Sequence, residues 1–138
     1  MNEEQLMVRD FHERFGLPAA GRPRWPGEAL HRLRVLLVEE ELAELRNAGE
    51  TRDLASVADA LADLLYVVYG AAVTYGIDLA PVFREIHRSN MTKGDPGVVR
   101  RPDGKILKGE GYSPPRVREV LQEQLEQLVQ LEPAAALA

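Results

Sequence analysis

Hydrophobic and polar positions along the chain mark out a series of helices separated by short breaks. In residues 3–15, Val8, Phe11, His12 and Phe15 fall on one face, and Gly16 and Pro18 end the segment. The stretch "GLPAAGRPRWPG" is a proline- and glycine-rich loop. Residues 28–47 predict a long helix with Asn47 and Gly49 as stop signals. Residues 53–75 predict a second long helix, with Asp53 as its N-cap and Gly76 as its C-terminal stop. Asp78 caps a fourth helix that tolerates Pro81 in its first turn and runs to about Asn90. Residues 92–112 are irregular, and the Pro-Asp-Gly turn in "VVRRPDGKIL" is compatible with a small hairpin. Ser113 and Pro114 open a last helix that continues to about Leu131, with Val117, Val120, Leu121, Leu125 and Leu128 along one side. This pattern predicts an all-α fold: a bundle of about four to five helices with a short irregular or hairpin loop. It forms one domain over residues 1–138, with its core at about 3–131.

Within the helix at 28–47, a rotation of about 100° per residue puts Leu30, Leu33 and Leu37 on one stripe. The stripe then continues as Glu41 and Glu44, flanked by Glu40, while Glu39 points roughly the other way. Val35, Val38, Leu42 and Leu45 make a second apolar stripe. A helix with two apolar sides is buried on both, so oligomer contacts are expected. From Leu54 to Tyr75 the only charged residues are Asp59 and Asp63, four apart and on one face. A helix this apolar all round is expected to be enclosed, with both carboxylates partly buried.

A run of glutamates by itself reads as a solvated helix face. The Asp59–Asp63 pair in an otherwise apolar helix changes that, because a solvated face would carry other polar residues. Glu40, Glu41, Glu44, Asp59 and Asp63, facing one another across two antiparallel helices, repel unless a proton or a cation intervenes. No lysine or arginine lies on those faces, and oxygen-only ligands suit Mg²⁺ or Mn²⁺. Such a cluster fits metal-assisted phosphoryl chemistry; the bland alternative is a water-filled polar core.

Composition narrows the field. The 138 residues include no cysteine, which excludes disulfides and thiolate metal sites. The three histidines (His12, His31 and His87) lack zinc-ligand spacing. The net charge of −5 argues against nucleic-acid binding but not against a small phosphorylated substrate bound with a cation. No apolar run is counted as long enough for a membrane span, and "MNEEQLMVRD" is too acidic for a signal peptide, so a cytoplasmic location without membrane contact is expected.

Glu40-Glu41-x-x-Glu44, followed by Asp63 within "DALADLLYVVYG", resembles the MazG-like all-α nucleoside triphosphate pyrophosphohydrolases. That superfamily includes dimeric dUTPases and phosphoribosyl-ATP pyrophosphohydrolase. "FHERFG", "FREIHRSNMTK" and "DGKILKGEGYSPP" look similar to segments of the branch containing MazG-like dUTPases, so the resemblance covers roughly residues 10–118. It implies cleavage of a nucleoside triphosphate between the α and β phosphates by a homodimer or a dimer of dimers. Glu41, Glu44 and Asp63 are then Mg²⁺ or Mn²⁺ ligands, and Glu40 is the base or water orienter. The pattern's second-helix glutamate falls at Ala60, and Asp59, one residue earlier, is expected to substitute as a direct or water-mediated ligand.

A triphosphate also needs donors and positive charge. "HRSNMTKGD" supplies Arg88, Asn90 and Lys93, and "DGKILKGEGY" supplies Lys105, Lys108 and Tyr112 on a loop expected to be mobile and to close over phosphates. Arg88 as a surface residue and Asn90 as a helix cap are about equally good readings. His12 and Phe15 are candidates to meet a base, although a histidine on an apolar helix face is more often packed core. Trp25 reads as a fold anchor before a base-stacking residue. Tyr66 shares the Asp59–Asp63 face and could bond a carboxylate. The leading reading favours dUTP or another noncanonical deoxynucleotide as substrate. Phosphoribosyl-ATP hydrolysis, nucleotide or metal binding without turnover, and a purely structural helical dimer stay open.

Overall fold

The computed structural model describes residues 1–135; residues 136–138 lie outside the described part. It contains α1 (Glu3–Arg14), α2 (Glu28–Thr51), α3 (Leu54–Tyr75), α4 (Leu79–Met91) and α5 (Val117–Ala135), with a 3-10 turn at Thr92–Gly94. The all-α expectation is met. No strand forms among the described residues. The anticipated hairpin is reduced to one antiparallel bridge, Arg100 with Ile106. Its apolar pairs are too short to present a face worth burying. The chain divides into two compact units, Met1–Leu79 and Ala80–Ala138.

In the first unit, α1 and α2 both pack against α3. Asn2 caps α1 by accepting from the Gln5 backbone N–H. The Gln5 side chain is fully buried. It donates to the Ile77 carbonyl at 2.6 Å and accepts from the Leu79 N–H at 3.0 Å, which ties α1 to the segment after α3. On α1, Val8 and His12 are buried as expected. Phe11 and Phe15 are exposed instead, and stack on each other at 4.7 Å.

The helix α2 passes through both anticipated stop signals and ends at Arg52, which takes the left-handed conformation with φ 56°. A glycine inside a helix costs only about 1 kcal/mol relative to alanine, too little to end one that packs along its length. Asp53 then caps α3 by accepting from the Ala55 and Ser56 N–H groups, each at 3.2 Å. The far end of α3 stops where expected, at Gly76, with φ 69°. The loop between α1 and α2 lies across this end: the Ala20 N–H donates to the Val73 carbonyl at 3.0 Å and the Arg24 N–H to the Tyr75 carbonyl at 2.9 Å. A Cβ on Gly76 would sit 2.2 Å from the Arg22 carbonyl oxygen, so the residue must be glycine both for its φ and for space. Trp25 of this loop packs on His31 at 4.8 Å and edge-on to Tyr75 at 5.9 Å, an anchoring role; it remains 58% exposed.

Two expectations about α3 need correction. It is not enclosed: Leu54 is 80% exposed, and Leu61 and Leu65 are also exposed, because α1 and α2 cover only part of its circumference. By length and composition it is also apolar enough to cross a membrane, contrary to the expectation that no run is long enough, since two aspartates in 22 residues leave its mean hydropathy high. The same property belongs to a core helix, and α3 is the helix on which both others in its unit pack.

In the second unit, the last helix begins at Val117 rather than at Ser113 and Pro114. Pro115 biases Pro114 away from helical backbone. Ser113 is instead held in the loop: its N–H donates to the Thr92 hydroxyl, and its carbonyl accepts from Ser89.

Candidate active site

Four carboxylates meet between α2 and α3. Glu41 is half-buried on the α2 line that also carries the buried Arg34 and Ala48, at spacings of seven residues. Its carboxyl is pushed above the ordinary glutamate range by partial burial and then by the negative charges of Glu44, Asp63 and Glu40. Of the five carboxylates the sequence groups together, Glu40, Glu44 and Asp63 act on Glu41 and Asp59 does not. No cation figures among the groups acting on Glu41.

The register of the two antiparallel helices follows from neighbouring pairs. The Arg34 guanidinium and the His12 ring both lie against Gly70, 3.5 Å and 3.2 Å from where a Cβ would stand. Glu41 lies by Asp63, seven residues forward on α2 and seven back on α3. The same register sets Glu44 opposite Ala60, which is buried at 5% exposure. The position where the resemblance expects a glutamate is therefore a buried alanine on the side of α3 facing α2. Asp59 sits one turn from Asp63, exposed, and is not among the carboxylates that raise Glu41. Asp59 and Asp63 are both exposed, where partial burial was expected, for the same reason that α3 is not enclosed.

The donor set fits a hard divalent cation in type and charge: all oxygen, no thiolate, and one carboxyl destabilised as an anion. Among the described residues no group of three His, Asp or Glu side chains already stands in a metal-binding arrangement. Glu40 and Glu44 are exposed, make no ion pair among the described residues, and can turn toward an ion.

Tyr66 packs edge-on to Phe11 at 5.7 Å. His12 is buried at 2% exposure, its Nδ1 at 2.8 Å from the Pro18 carbonyl, and burial followed by the Arg34 charge lowers its pKa. The carbonyl partner makes Nδ1 the protonated nitrogen. His12 is thus packed core.

The remaining candidates lie in the second unit. Arg88 is engaged internally: it donates to both oxygens of Glu85 at 2.8 and 2.9 Å, to Ser113 at 3.2 Å and to the Pro114 carbonyl at 3.0 Å. Glu85 also caps the approach to α5 by accepting from the Arg116 N–H at 2.8 Å. Asn90 is exposed near the end of α4. Lys108 places its ammonium 4.6 Å from the centre of the Tyr112 ring. The Tyr112 phenol has its pKa lowered by the Ser89 hydroxyl, then by Lys108 and Lys93. Lys93, Lys108 and Tyr112 therefore form one electropositive patch, while Lys105 sits apart in the turn beside Asp103. The loop that carries Lys108 is pinned rather than loose, with the Gly109 N–H donating to the Lys93 carbonyl and the Gly111 N–H to the Asp95 carbonyl.

Sequence reading missed Gln5, Arg34, Glu85 and Ser89. Of these only Arg34 left a signal, a charged residue seven positions before Glu41 on the same helical line.

Residues 8–90 match the profile of the family described as phosphoribosyl-ATP pyrophosphohydrolase, from the second half of α1 through α2 and α3 to the end of α4. An uncharacterized protein of Acanthamoeba polyphaga mimivirus is 44% identical over 48 residues, 35% of this chain. The chain matches only 19% of that protein's length.

Proposed function

Because the chain belongs to the phosphoribosyl-ATP pyrophosphohydrolase family, we propose that it is a metal-dependent nucleotide pyrophosphohydrolase whose reaction centre is the carboxylate cluster of α2 and α3. What supports this reading is the convergence of Glu41 with Glu44, Asp63 and Glu40 on the facing helices α2 and α3, where their negative charges add to burial in pushing the Glu41 carboxyl upward. Glu41, Glu44 and Asp63 would hold Mg²⁺ or Mn²⁺, with Asp59 as an outer or water-mediated ligand. Such an ion, when bound, neutralises phosphate charge and lowers the pKa of water. Glu40 accepts the proton of the water that attacks the α phosphorus. The P–O bond to the β phosphate breaks, giving nucleoside monophosphate and pyrophosphate. Asn90, Lys93, Lys108, Arg88 and Tyr112 are assigned to substrate binding, with Lys93 and Lys108 as phosphate cations.

The substrate is dUTP or another noncanonical deoxynucleotide, a reading motivated by the "HRSNMTK" and "DGKILKGEGYSPP" segments. The family's own description favours phosphoribosyl-ATP as the second reading. Exposed apolar residues along α2 and α3 support a homodimer or dimer of dimers. A panel of deoxynucleotides, ribonucleotides and phosphoribosyl-ATP, assayed for pyrophosphate with Mg²⁺ and Mn²⁺, separates these readings. Preference for dUTP supports the first, and preference for phosphoribosyl-ATP the second. Thermal stabilisation by Mg²⁺ plus dUTP without turnover leaves a binding module.

A further inference from the structure

Within the second unit, the loop that carries Lys108 closes on the segment that carries Lys93. The Gly109 N–H donates to the Lys93 carbonyl at 3.1 Å. One hydrogen bond therefore joins the peptide group that follows Lys108 to the peptide group that follows Lys93, and the two side chains start from adjacent backbones. Two residues on, the Gly111 N–H donates to the Asp95 carbonyl at 3.0 Å. Beyond it, the Ser113 N–H donates to the Thr92 hydroxyl, the Thr92 hydroxyl to the Ser89 carbonyl, and the Ser89 hydroxyl to the Ser113 carbonyl, each at 2.8 Å. Ser89, 2% exposed, anchors this end of the closure.

Space rather than torsion requires glycine at both closing positions, since neither has a left-handed φ. A Cβ on Gly109 would stand 2.7 Å from the Asp95 carbonyl oxygen and 3.1 Å from that of Lys93. One on Gly111 would stand 2.7 Å from the Asp95 Cβ and 3.1 Å from the Asp95 carbonyl oxygen. Rotation of a side chain cannot relieve contacts with backbone and Cβ atoms, so any side chain at either position opens the closure. The closure also gathers positive charge. Lys108 holds its ammonium 4.6 Å from the centre of the Tyr112 ring, and both Lys108 and Lys93 act electrostatically on the Tyr112 phenol. Asp95 and Glu110 are exposed on the same segments, yet neither lysine forms an ion pair among the described residues.

We infer that Gly109 and Gly111 are positioning residues for the substrate: by closing the loop on Lys93–Asp95 they fix the spacing of Lys93 and Lys108, which together hold two linked phosphates without help from a metal ion. Two ammonium groups rooted on adjacent backbones match two adjacent phosphoryl groups, whereas a single phosphate engages them less fully. The inference rests on the assignment of both lysines to phosphate. It adds which residues set their spacing, and that the pair prefers the diphosphate end of a nucleotide, or the leaving pyrophosphate, to a lone phosphate.

The test is calorimetric titration of the full chain with inorganic pyrophosphate and with inorganic phosphate, in the presence of a chelator so that no metal links the ligand to the carboxylates. The wild type is expected to bind pyrophosphate at least about tenfold more tightly than phosphate, as one further charge-assisted contact implies. Gly109→Ala and Gly111→Ala should each weaken pyrophosphate binding about tenfold, and raise KM for dUTP more than they lower kcat. Lys108→Gln, an exposed change, should cost about as much. Gly97→Ala is the control: a Cβ there meets nothing within 4 Å, and the affinity should not change. Circular dichroism checks folding. Glycine variants that melt earlier yet bind pyrophosphate as the wild type does overturn the positioning role. Unchanged binding by Lys108→Gln overturns the two-lysine site even where a glycine variant fails to fold. A wild type that hydrolyses nucleotide but binds no pyrophosphate without metal overturns the inference and leaves the hydrolase reading. A wild type that binds pyrophosphate through these residues but hydrolyses no nucleotide supports the inference and removes the hydrolase reading.

Discussion

Replacing Gly76 by alanine tests how the first unit is closed. Gly76 ends α3 in the left-handed conformation, and the loop from α1 crosses directly over it. Alanine in that conformation costs about 1–2 kcal/mol. The new Cβ would also stand 2.2 Å from the Arg22 carbonyl oxygen and 2.6 Å from its carbon, both backbone atoms that no rotamer change can move. Relief requires the loop to lift, which gives up the Ala20 to Val73 and Arg24 to Tyr75 hydrogen bonds. At about 0.5–1.5 kcal/mol each, these bring the total to about 3 kcal/mol. With a urea m-value of about 1.5 kcal/mol/M, the unfolding midpoint falls by about 2 M, measured at fixed protein concentration. Gly49→Ala is the control. Gly49 is helical, a Cβ there meets nothing within 4 Å, and alanine should be neutral or stabilising by up to about 1 kcal/mol. A Gly76→Ala midpoint within about 0.5 M of the wild type would refute the docking of the loop on α3.

The second unit has its own acid signature. Glu85 is held at about 2 against an ordinary 4.5, chiefly by its hydrogen bonds from Arg88 and then from the Arg116 N–H. A depressed carboxyl stabilises fully above its unfolded value and loses that contribution as pH falls toward the folded one. The melting-temperature difference between wild type and Glu85→Gln should therefore be largest above about pH 4.5 and shrink toward about pH 2, and a constant difference contradicts it. Asp59→Asn should weaken the Mn²⁺ dependence of turnover about tenfold if Asp59 serves as an outer ligand, and an unchanged metal titration removes it from the site. Hydrolysis in ¹⁸O-labelled water should place the label in the monophosphate, as attack at the α phosphorus requires, and label in pyrophosphate would place the attack at the β phosphorus.

Much of the fold was legible because the signals were local. Asp53 and Gly76 bound α3 as their capping chemistry predicts, and the apolar period located every helix. The errors came where local signals compete with packing or backbone restriction. Gly49 could not end a helix held along its length, and Pro115 delayed the start of α5. Enclosure of α3 was inferred from its apolar circumference, yet exposure depends on how many neighbours one chain supplies. In the candidate site, Glu40, Glu41, Glu44 and Asp63 were readable from helical rotation alone. Ala60 opposite Glu44, and the partnering of Arg88 with Glu85, depend on register and on contacts between elements, which no local period encodes.

The central claim is that the carboxylates crowding Glu41 carry out metal-dependent nucleotide hydrolysis. Pyrophosphate release from dUTP, measured for the wild type and for Glu41→Gln with Mn²⁺, Mg²⁺ and a chelator, tests it most directly. The account predicts release with either cation, none with the chelator, and a loss of at least about 100-fold in Glu41→Gln, which keeps the side-chain shape but withdraws a charged ligand. Equal release by Glu41→Gln, or release that survives the chelator, would contradict it.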